Sequence, residues 1–255
     1  MTAGRLAGKI AIVTGSGGGI GRGCALMFAR QGAMVMGCDI RPDAAQETLD
    51  LAAREGLPME SLHPCDLTAP ADVQRLIDAT IARFGRIDIL VNAGAFGAFA
   101  FIEEMDFDSH WRRTLSGELD VVFLACKAAW PHLKQNGGAI INFASANAYM
   151  ALPGSGALAH CAGKGGVLAM TRQLAMEGGA YKIRANTISP GMTLTDATAP
   201  VLEQPGFKEN VLDRMMIKQI GMPEDIAWCA VYLASDESRW VTAADISVDG
   251  GATAL

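Results

Sequence analysis

The sequence predicts an α/β protein in which a doubly wound parallel sheet is covered by helices on both faces. Short β-branched or apolar runs alternate with longer helical stretches along the 255 residues, and this alternation favours right-handed β–α–β crossovers. Near-continuous apolar runs, such as residues 10–13, are typical of strands that are buried on both faces. Hydrophobic residues make up 50% and charged residues 19%, which is the composition of a chain with one large buried core.

The alternation defines the individual elements in chain order. The predicted strands span residues 9–14, 33–39, 59–63, 87–92, 139–145, 183–189 and 245–248. The predicted helices span residues 20–31, 44–55, 71–84, 107–132, 157–177 and 224–234. No stretch has the composition of a linker between domains, so residues 1–255 are predicted to form a single domain.

Residues 193–222 interrupt this rhythm. An irregular segment with Pro200, Pro205, Met215 and Met216 separates a predicted strand from a predicted helix. A segment of this length inside a compact domain is usually a lid or a binding loop. We therefore expect a substrate-loop insertion here, and a pair of surface helices without a gating role is the equally open alternative.

Composition also limits the class of partner. The net charge is −6 without a block of like charges, which argues against nucleic acid or an anionic membrane. The six cysteines form no Cys-x-x-Cys pair and no cluster with zinc spacing, so reduced thiols and no metal are expected. No apolar run approaches the ~20 residues of a membrane span, and residues 1–9 lack the apolar core of a secretory signal. The sequence thus predicts a cytoplasmic protein that acts on a small molecule.

A glycine-rich segment connects the first predicted strand to the first predicted helix. It is the run Gly15-Ser16-Gly17-Gly18-Gly19-Ile20-Gly21. Glycines allow the backbone to approach a pyrophosphate, and the N-terminus of the following helix directs N–H groups and a positive dipole end at the phosphates. The segment therefore predicts a dinucleotide site, and a glycine turn that serves packing alone is the alternative.

Asp39 ends the second predicted strand and bears on the choice of cofactor. A carboxylate at this position accepts hydrogen bonds from the hydroxyls of an adenosine ribose. It would also repel a 2′-phosphate, although Arg41 lies close enough in sequence to offset part of that repulsion. We therefore expect NAD rather than NADP.

These motifs and several others, taken in order, resemble the short-chain dehydrogenase/reductase family over nearly the whole chain. The motifs that carry the resemblance are Thr14-Gly15-x-x-x-Gly19-Ile20-Gly21, Cys65-Asp66-Leu67, Asn92-Ala93-Gly94, residues 140–145 ending in Ser145, residues 161–167 around Lys164, residues 183–191 ending in Pro190-Gly191, and Val248-Asp249-Gly250-Gly251. The resemblance implies a Rossmann-like sheet, NAD(P) as cofactor, and a homodimer or homotetramer.

The resemblance also implies roles for individual residues. The cofactor-binding set comprises Gly15, Ser16, Gly19, Ile20 and Gly21 at the phosphates, Asp39 at the ribose, Asp66 and Leu67 at the adenine, Asn92, Ala93 and Gly94 on the adenosine ribose side, Lys164 at the nicotinamide ribose, and Pro190, Gly191, Thr193 and Thr195 at the carboxamide. The expected substrate contacts are Phe96, Asn147, Tyr149 and Met192.

The catalytic positions depart from the family pattern of Asn, Ser, Tyr and Lys. Ser145 and Lys164 are in place, but His160 stands at the tyrosine position and Glu118 at the asparagine position. Because His160 precedes Lys164 by four residues, both side chains project from one face of a helix. A neutral imidazole would accept a proton from a substrate hydroxyl, and an imidazolium would protonate a carbonyl oxygen. The sequence leaves open which form is present.

Three hypotheses follow from this active-site set. The leading hypothesis is an NAD-dependent oxidoreductase that interconverts a secondary alcohol and a ketone, in which Ser145 orients the substrate oxygen and His160 exchanges the proton. Glu118 takes part in a proton relay, forms an ion pair with Lys164, or is a solvated helix carboxylate, and the sequence leaves these alternatives open. The second is a catalytically impaired NAD-binding scaffold or sensor. The third is non-redox chemistry with Ser145, His160 and Glu118 as nucleophile, base and orienting group.

Overall fold

A seven-stranded parallel sheet forms the centre of the molecule, which a computed structural model describes for residues 4–255. Its strand order is β3-β2-β1-β4-β5-β6-β7, and every neighbouring pair is parallel. The strands are β1 (Ile10–Thr14), β2 (Met34–Cys38), β3 (Met59–Leu62), β4 (Ile89–Asn92), β5 (Gly138–Phe143), β6 (Ile183–Pro190) and β7 (Asp245–Val248). This confirms the predicted single-domain, doubly wound α/β fold. The first three residues of the predicted domain lie outside the described residues.

Most predicted elements differ from the observed ones by one or two residues at each end. The helices are α1 (Gly19–Arg30), α2 (Pro42–Arg54), α3 (Pro70–Phe84), α4 (Arg113–Leu115), α5 (Val121–Asn136), α6 (Leu158–Gly178), α7 (Ala199–Leu202), α8 (Phe207–Asp213) and α9 (Pro223–Ala234). The predicted strand 139–145 extends too far at its C-terminal end: β5 ends at Phe143, and Ser145 instead caps a short 3₁₀ turn at Ala146–Ala148, its Oγ accepting the Asn147 N–H at 3.1 Å.

The predicted helix 107–132 is less regular than its sequence indicates. Two π-helical segments, Phe107–Arg112 and Ser116–Asp120, flank α4 before the chain continues into α5. Helix α5 also extends through Pro131 to Asn136, beyond the predicted end. The second π-helical segment carries Glu118 and turns its side chain towards the interior of the protein. π-helical turns of this kind are rare and occur frequently at functional sites.

Side chains of successive strand residues point to opposite faces of the sheet, so the hydrophobic core consists of two clusters, one on each face. Val13 of β1 belongs to the cluster beneath α1 and α9, whereas its neighbour Ile12 belongs to the cluster beneath α3 and α5. Successive strand residues point to opposite faces, so a continuous apolar strand supplies both clusters. The strand order reverses between β1 and β4, and in open α/β sheets the ligand crevice lies at this switch point, outside the carboxyl ends of the strands.

The irregular segment 193–222 contains the short helices α7 and α8. Its two ends are held together, because the Leu194 N–H donates to the Gly221 carbonyl at 2.8 Å and the Gly221 N–H donates to the Met192 carbonyl at 3.0 Å. The segment therefore leaves and rejoins the domain at one place, beside the carboxyl end of β6. The gating role expected for it stays a prediction.

Candidate active site

A cavity of about 470 Å³ lies at the carboxyl ends of β1, β2 and β4. It is lined by the glycine-rich loop after β1, by the ends of the next strands, and by the start of segment 193–222. The lining includes Gly15, Gly19, Ile20, Gly21, Asp39, Arg41, Asp66, Leu67, Ala93, Gly94 and Thr195. Most of the predicted cofactor residues on the adenosine and phosphate side are thus brought together around one cavity.

The glycine-rich loop has a shape that side chains would prevent. A Cβ at Gly21 would lie 2.0 Å from the Gly15 carbonyl oxygen, and one at Gly15 would lie 2.5 Å from the Cα of Gly94. Gly15 and Gly19 also have φ values of +66° and +49°, in the left-handed region that glycine adopts most readily. No side chain caps the N-terminus of α1. The first turn of this helix is therefore a suitable partner for a diphosphate.

The Asp39 carboxylate is held rigidly at the edge of this cavity. Its Oδ2 accepts the Gly17 N–H at 3.0 Å, and its Oδ1 accepts the Arg41 N–H at 2.9 Å. The Arg41 Nε also lies 3.4 Å from Oδ1. Asp39 thus fixes the glycine-rich loop and presents a negative group where a ribose would lie. Together, the loop, the uncapped helix and this carboxylate fit a nicotinamide dinucleotide.

Three predicted ligand residues lie elsewhere. The Ser16 side chain is fully buried and its Oγ donates to the Cys38 carbonyl at 3.4 Å, so this residue does not line the cavity. Asn92 is also buried, and its Nδ2 donates to Asn142 Oδ1 at 2.8 Å, which ties β4 to β5. Phe96 lines the cavity described above, which we call the nucleotide cavity, and not the second cavity described below. Its backbone packs against Gly117.

A second cavity of about 540 Å³ adjoins the first, since Ile20 and Thr195 line both. Ser145 and His160 open into it, as do the predicted residues Asn147, Pro190, Gly191, Met192 and Thr193. The rest of its lining is largely apolar and comes from the loop after β5 and from segment 193–222; it includes Met150, Leu152, Val201, Phe207, Val211 and Met215.

Ser145, His160 and Glu118 form a continuous hydrogen-bonded array at the floor of the second cavity. The His160 Nε2 lies 3.4 Å from Ser145 Oγ, and the His160 Nδ1 lies 2.5 Å from Glu118 Oε1. A carboxylate accepts hydrogen bonds, so Nδ1 carries a proton and donates it to Glu118. In the neutral imidazole the lone pair is then on Nε2, which is the nitrogen that faces Ser145 and the cavity.

Glu118 lies behind His160, away from both cavities. Its side chain is 4% exposed, and among the described residues its second oxygen, Oε2, has no hydrogen-bond partner. A buried carboxylate is strongly disfavoured unless a donor or a positive charge compensates it. The carboxylate is therefore committed to its contact with His160.

Lys164 supplies a second charge near this array. It is buried on α6, one turn after His160, and its Nζ donates to the Phe143 carbonyl at the end of β5 at 3.1 Å. Burial lowers the pKa of Lys164, and the nearby Glu118 carboxylate offsets part of that decrease. Lys164 is not among the residues that line the two cavities, and its contact with a nicotinamide ribose stays a prediction.

Tyr149 is not part of the cavity wall that its sequence position predicts. Its side chain is exposed, and its hydroxyl donates to Asp245 Oδ2 at 3.0 Å, outside the second cavity. Partial desolvation of the hydroxyl, together with its hydrogen bond to the Asp245 carboxylate, raises the pKa of this phenol. The phenol is thus directed towards β7 and away from His160.

Two residues of the site were missed by the sequence analysis. Phe99 lines the second cavity, and its ring centroid lies 5.6 Å from that of His160. A run of phenylalanines in an irregular loop does not indicate which ring faces the site. Gly163, directly before Lys164, contacts Glu118. A glycine inside a helix was the signal that could have identified it, because glycine disfavours helices.

Residues 4–255 show neither a metal centre nor a membrane-spanning helix. No group of three or more His, Cys, Asp or Glu side chains in that range is placed to hold a metal ion. None of the helices described there is both long enough and apolar enough to span a bilayer. The six cysteines are all free thiols.

Comparisons with known proteins agree with this geometry. A family model described as enoyl-(acyl carrier protein) reductase matches residues 15–253. The D-threitol dehydrogenase of Mycolicibacterium smegmatis is 38% identical over 256 residues, covering 98% of this chain and 94% of that protein. A solved short-chain type dehydrogenase/reductase from Mycobacterium marinum has a TM-score of 0.92 and 30% identity, covering 98% of this chain and 97% of its own. The structure of 7α-hydroxysteroid dehydrogenase complexed with NADH and 7-oxo glycochenodeoxycholic acid has a TM-score of 0.91 and 32% identity, covering 97% and 95% of the two chains. This chain belongs to the short-chain dehydrogenase/reductase family of oxidoreductases.

Proposed function

We propose that this chain is an NAD-dependent oxidoreductase that interconverts a secondary alcohol and a ketone, with Ser145, His160 and Lys164 as its active-site set. The observation that carries the proposal is the position of Ser145 Oγ and His160 Nε2, which face each other 3.4 Å apart in a cavity that adjoins the nucleotide cavity. Membership of a dehydrogenase family and the relatives' activities on hydroxyl-bearing substrates support it.

The cofactor residues would be those that line the first cavity. Gly15, Gly19 and the first turn of α1 would hold the diphosphate, and Asp39 would accept the hydroxyls of the adenosine ribose. The negative charge of Asp39 favours NAD over NADP. When bound, the nicotinamide would supply or accept the hydride.

Ser145 would orient the reacting oxygen. Its Oγ accepts the Asn147 N–H at 3.1 Å, and its O–H, which donates to His160 Nε2 in the array, would turn to the substrate oxygen when a substrate is bound. A donor at this position holds a carbonyl or hydroxyl oxygen of the substrate next to His160 and stabilises negative charge that develops on that oxygen.

His160 would exchange the proton, with Glu118 as the group that orients it. During alcohol oxidation the Nε2 lone pair would accept the hydroxyl proton, and the imidazolium that forms would keep its Nδ1–H bond to Glu118. In the reverse direction the same imidazolium would protonate the carbonyl oxygen. The carboxylate thereby stabilises the positive charge at the moment when it appears.

Lys164 would act mainly by its charge and its anchoring contact. Its ammonium group lies close to Glu118 and is bonded to the end of β5, which fixes α6 against the strand that precedes Ser145. Direct contact with a nicotinamide ribose, implied by the family resemblance, stays a prediction for this chain.

The substrate would be a predominantly apolar secondary alcohol or ketone. Met150, Leu152, Phe207 and Met215 form an apolar part of the lining of the second cavity, next to Ser145 and His160. The lining also includes Gln204 and Arg214, so polar groups are present beyond the catalytic pair. Apolar walls with a few placed polar groups are typical of small-molecule sites.

The test combines cofactor binding with turnover. NADH binding is measured by enhanced cofactor fluorescence, and oxidation of a panel of apolar and polar secondary alcohols is followed with NAD⁺ and NADP⁺ across a range of pH. His160→Ala should abolish turnover and preserve NADH affinity. His132→Ala is the matched control, because His132 lies near the end of α5, which leads into the amino end of β5, whereas the site lies at the carboxyl ends of the strands. Unchanged oxidation in His160→Ala would show that His160 has no role in the reaction.

Two other functions give different results in the same assays. An NAD-binding scaffold or sensor would bind NADH but oxidise no alcohol at any pH. A hydrolytic function is favoured by one specific observation, the serine–histidine–carboxylate order of the array. It predicts labelling of Ser145 by a serine-directed phosphonate, whereas an absolute requirement for NAD⁺ in turnover would exclude it. The homodimer or homotetramer and the cytoplasmic location also stay predictions.

A further inference from the structure

We propose that Gly163 is a positioning residue of this active site, because the space left by its missing side chain holds the Glu118 carboxylate that orients His160. The proposal rests on the function proposed above and adds a residue to it.

The contact between Gly163 and Glu118 is too close for any other residue type. A Cβ built at Gly163 would lie 2.3 Å from Glu118 Oε2, and 3.2 Å and 3.3 Å from its Cβ and Cδ. Atoms of real side chains do not approach this closely, so either the carboxylate or helix α6 would have to move. The atom in the way is Oε2, the oxygen that has no hydrogen-bond partner among the described residues.

The carboxylate has little room to retreat. Its other oxygen, Oε1, is bonded to His160 Nδ1 at 2.5 Å, and the Cβ and Cδ of Glu118 would also lie within 3.3 Å of the new methyl group, so rotation of the carboxylate alone does not relieve the contact. The side chain is also buried, so it cannot turn out into solvent without crossing packed neighbours. Any displacement of the carboxylate is therefore passed to the imidazole.

The backbone gives no separate reason for glycine at this position. Gly163 lies inside α6, and its φ is not in the left-handed region. Glycine in a helix interior is less favourable than alanine by about 1 kcal/mol. Within the same helix, Gly165 is also glycine, yet no described atom lies within 4 Å of a Cβ built there. The two positions thus share a backbone conformation but differ in what a methyl group would meet.

This difference provides a matched pair of variants. We expect Gly163→Ala to lower kcat for alcohol oxidation by about tenfold to a hundredfold, since small displacements of reacting groups have effects of this size. Gly165→Ala should leave kcat within about twofold of the unmodified protein. NADH affinity should be unchanged in both, because neither residue lines the nucleotide cavity.

A spectroscopic readout requires no substrate. The proton that His160 Nδ1 shares with Glu118 should give a strongly downfield ¹H NMR signal, assigned by its loss in His160→Ala. We expect this signal to disappear or shift in Gly163→Ala and to persist in Gly165→Ala. Persistence of the signal and of full activity in Gly163→Ala would overturn the inference, even if His160→Ala is inactive.

A double variant separates positioning from general damage to the fold. Glu118→Ala removes the side chain that the new methyl group would meet, so adding Gly163→Ala to it should change kcat by less than about twofold. An equally large loss in that background would show that Gly163 serves packing alone. If Gly163→Ala alone does not fold, the double variant should still fold, because the side chain that the new methyl group would meet is no longer present. If His160→Ala oxidises alcohols normally, the proposed function fails, whatever Gly163 does.

Discussion

Replacing Glu118 by glutamine tests the assignment of the proton-exchanging group most informatively. Glutamine has the size of glutamate and its amide oxygen can still accept the Nδ1–H of His160, but it carries no charge. Because Glu118 is buried and lies 2.5 Å from Nδ1, the hydrogen bond is charge-assisted and poorly screened by solvent. The substitution therefore removes the charge and leaves the shape of the site intact.

The expected effect follows from the difference between two kinds of hydrogen bond. A bond to a charged group contributes roughly 1.5–3 kcal/mol and a neutral one roughly 0.5–1.5 kcal/mol, so the loss is about 1–2 kcal/mol. The loss applies mainly to the transition state, in which His160 becomes positively charged. Glu118→Gln should accordingly lower kcat about 5- to 30-fold.

The assay is steady-state oxidation of the best alcohol substrate, with NADH affinity measured separately by fluorescence. Asp120→Asn is the matched control, because Asp120 belongs to the same π-helical segment and is exposed. NADH affinity should be unchanged in both variants, since neither residue lines the nucleotide cavity. Wild-type kcat in Glu118→Gln, or an equal loss in Asp120→Asn, would refute the assigned role of Glu118.

Three further predictions follow from the same site. His160→Tyr should change the pH profile of kcat for alcohol oxidation, because the proton-exchanging group is then a phenol instead of an imidazole; identical profiles measured from pH 5 to pH 10 would contradict this. Asp39→Asn removes one negative charge near the expected ribose site. The ratio of kcat/KM with NADP⁺ to kcat/KM with NAD⁺ should therefore rise by about tenfold. An unchanged ratio would contradict the NAD preference. Burial lowers the pKa of Lys164 in the folded protein below its ordinary 10.5. Between the folded-state and unfolded-state pKa values, the unfolded chain therefore binds more protons than the folded protein. The free energy of unfolding of the protein without cofactor should accordingly rise with pH in that interval. Chemical denaturation of Lys164→Met should show a smaller rise, and an equal rise would contradict the assignment.

The sheet and the nucleotide cavity were predictable because their signals are local. An apolar strand, a glycine-rich turn and a helix follow one another within about twenty residues, and each imposes its own backbone geometry. Asp39 lines this cavity for the same reason, because it follows a buried strand, and its contact with a ribose stays a prediction. The ends of the strands were less predictable than their centres. Ser145, for example, lies in a turn and not in β5, because its side-chain oxygen accepts the backbone N–H of the residue two positions later.

The internal arrangement of the catalytic residues was not predictable from local signals. His160 and Glu118 are 42 residues apart, and their contact depends on how a π-helical segment packs against α6. The sequence identified both residues and left the role of Glu118 open between a proton relay, an ion pair with Lys164 and a solvated helix carboxylate. Loop side chains were the least predictable, since Phe96 faces the nucleotide cavity and Tyr149 bonds to Asp245 at the surface.

The central claim is that an imidazole exchanges the proton with the reacting oxygen. The most direct measurement is a crystal structure of the protein with NADH and a ketone substrate or its non-reacting analogue. The account predicts that His160 Nε2 and Ser145 Oγ both lie within about 2.6–3.2 Å of the substrate oxygen, with Nδ1 still bonded to Glu118. A complex in which the imidazole points away from that oxygen, or in which another side chain takes its place, would contradict the account.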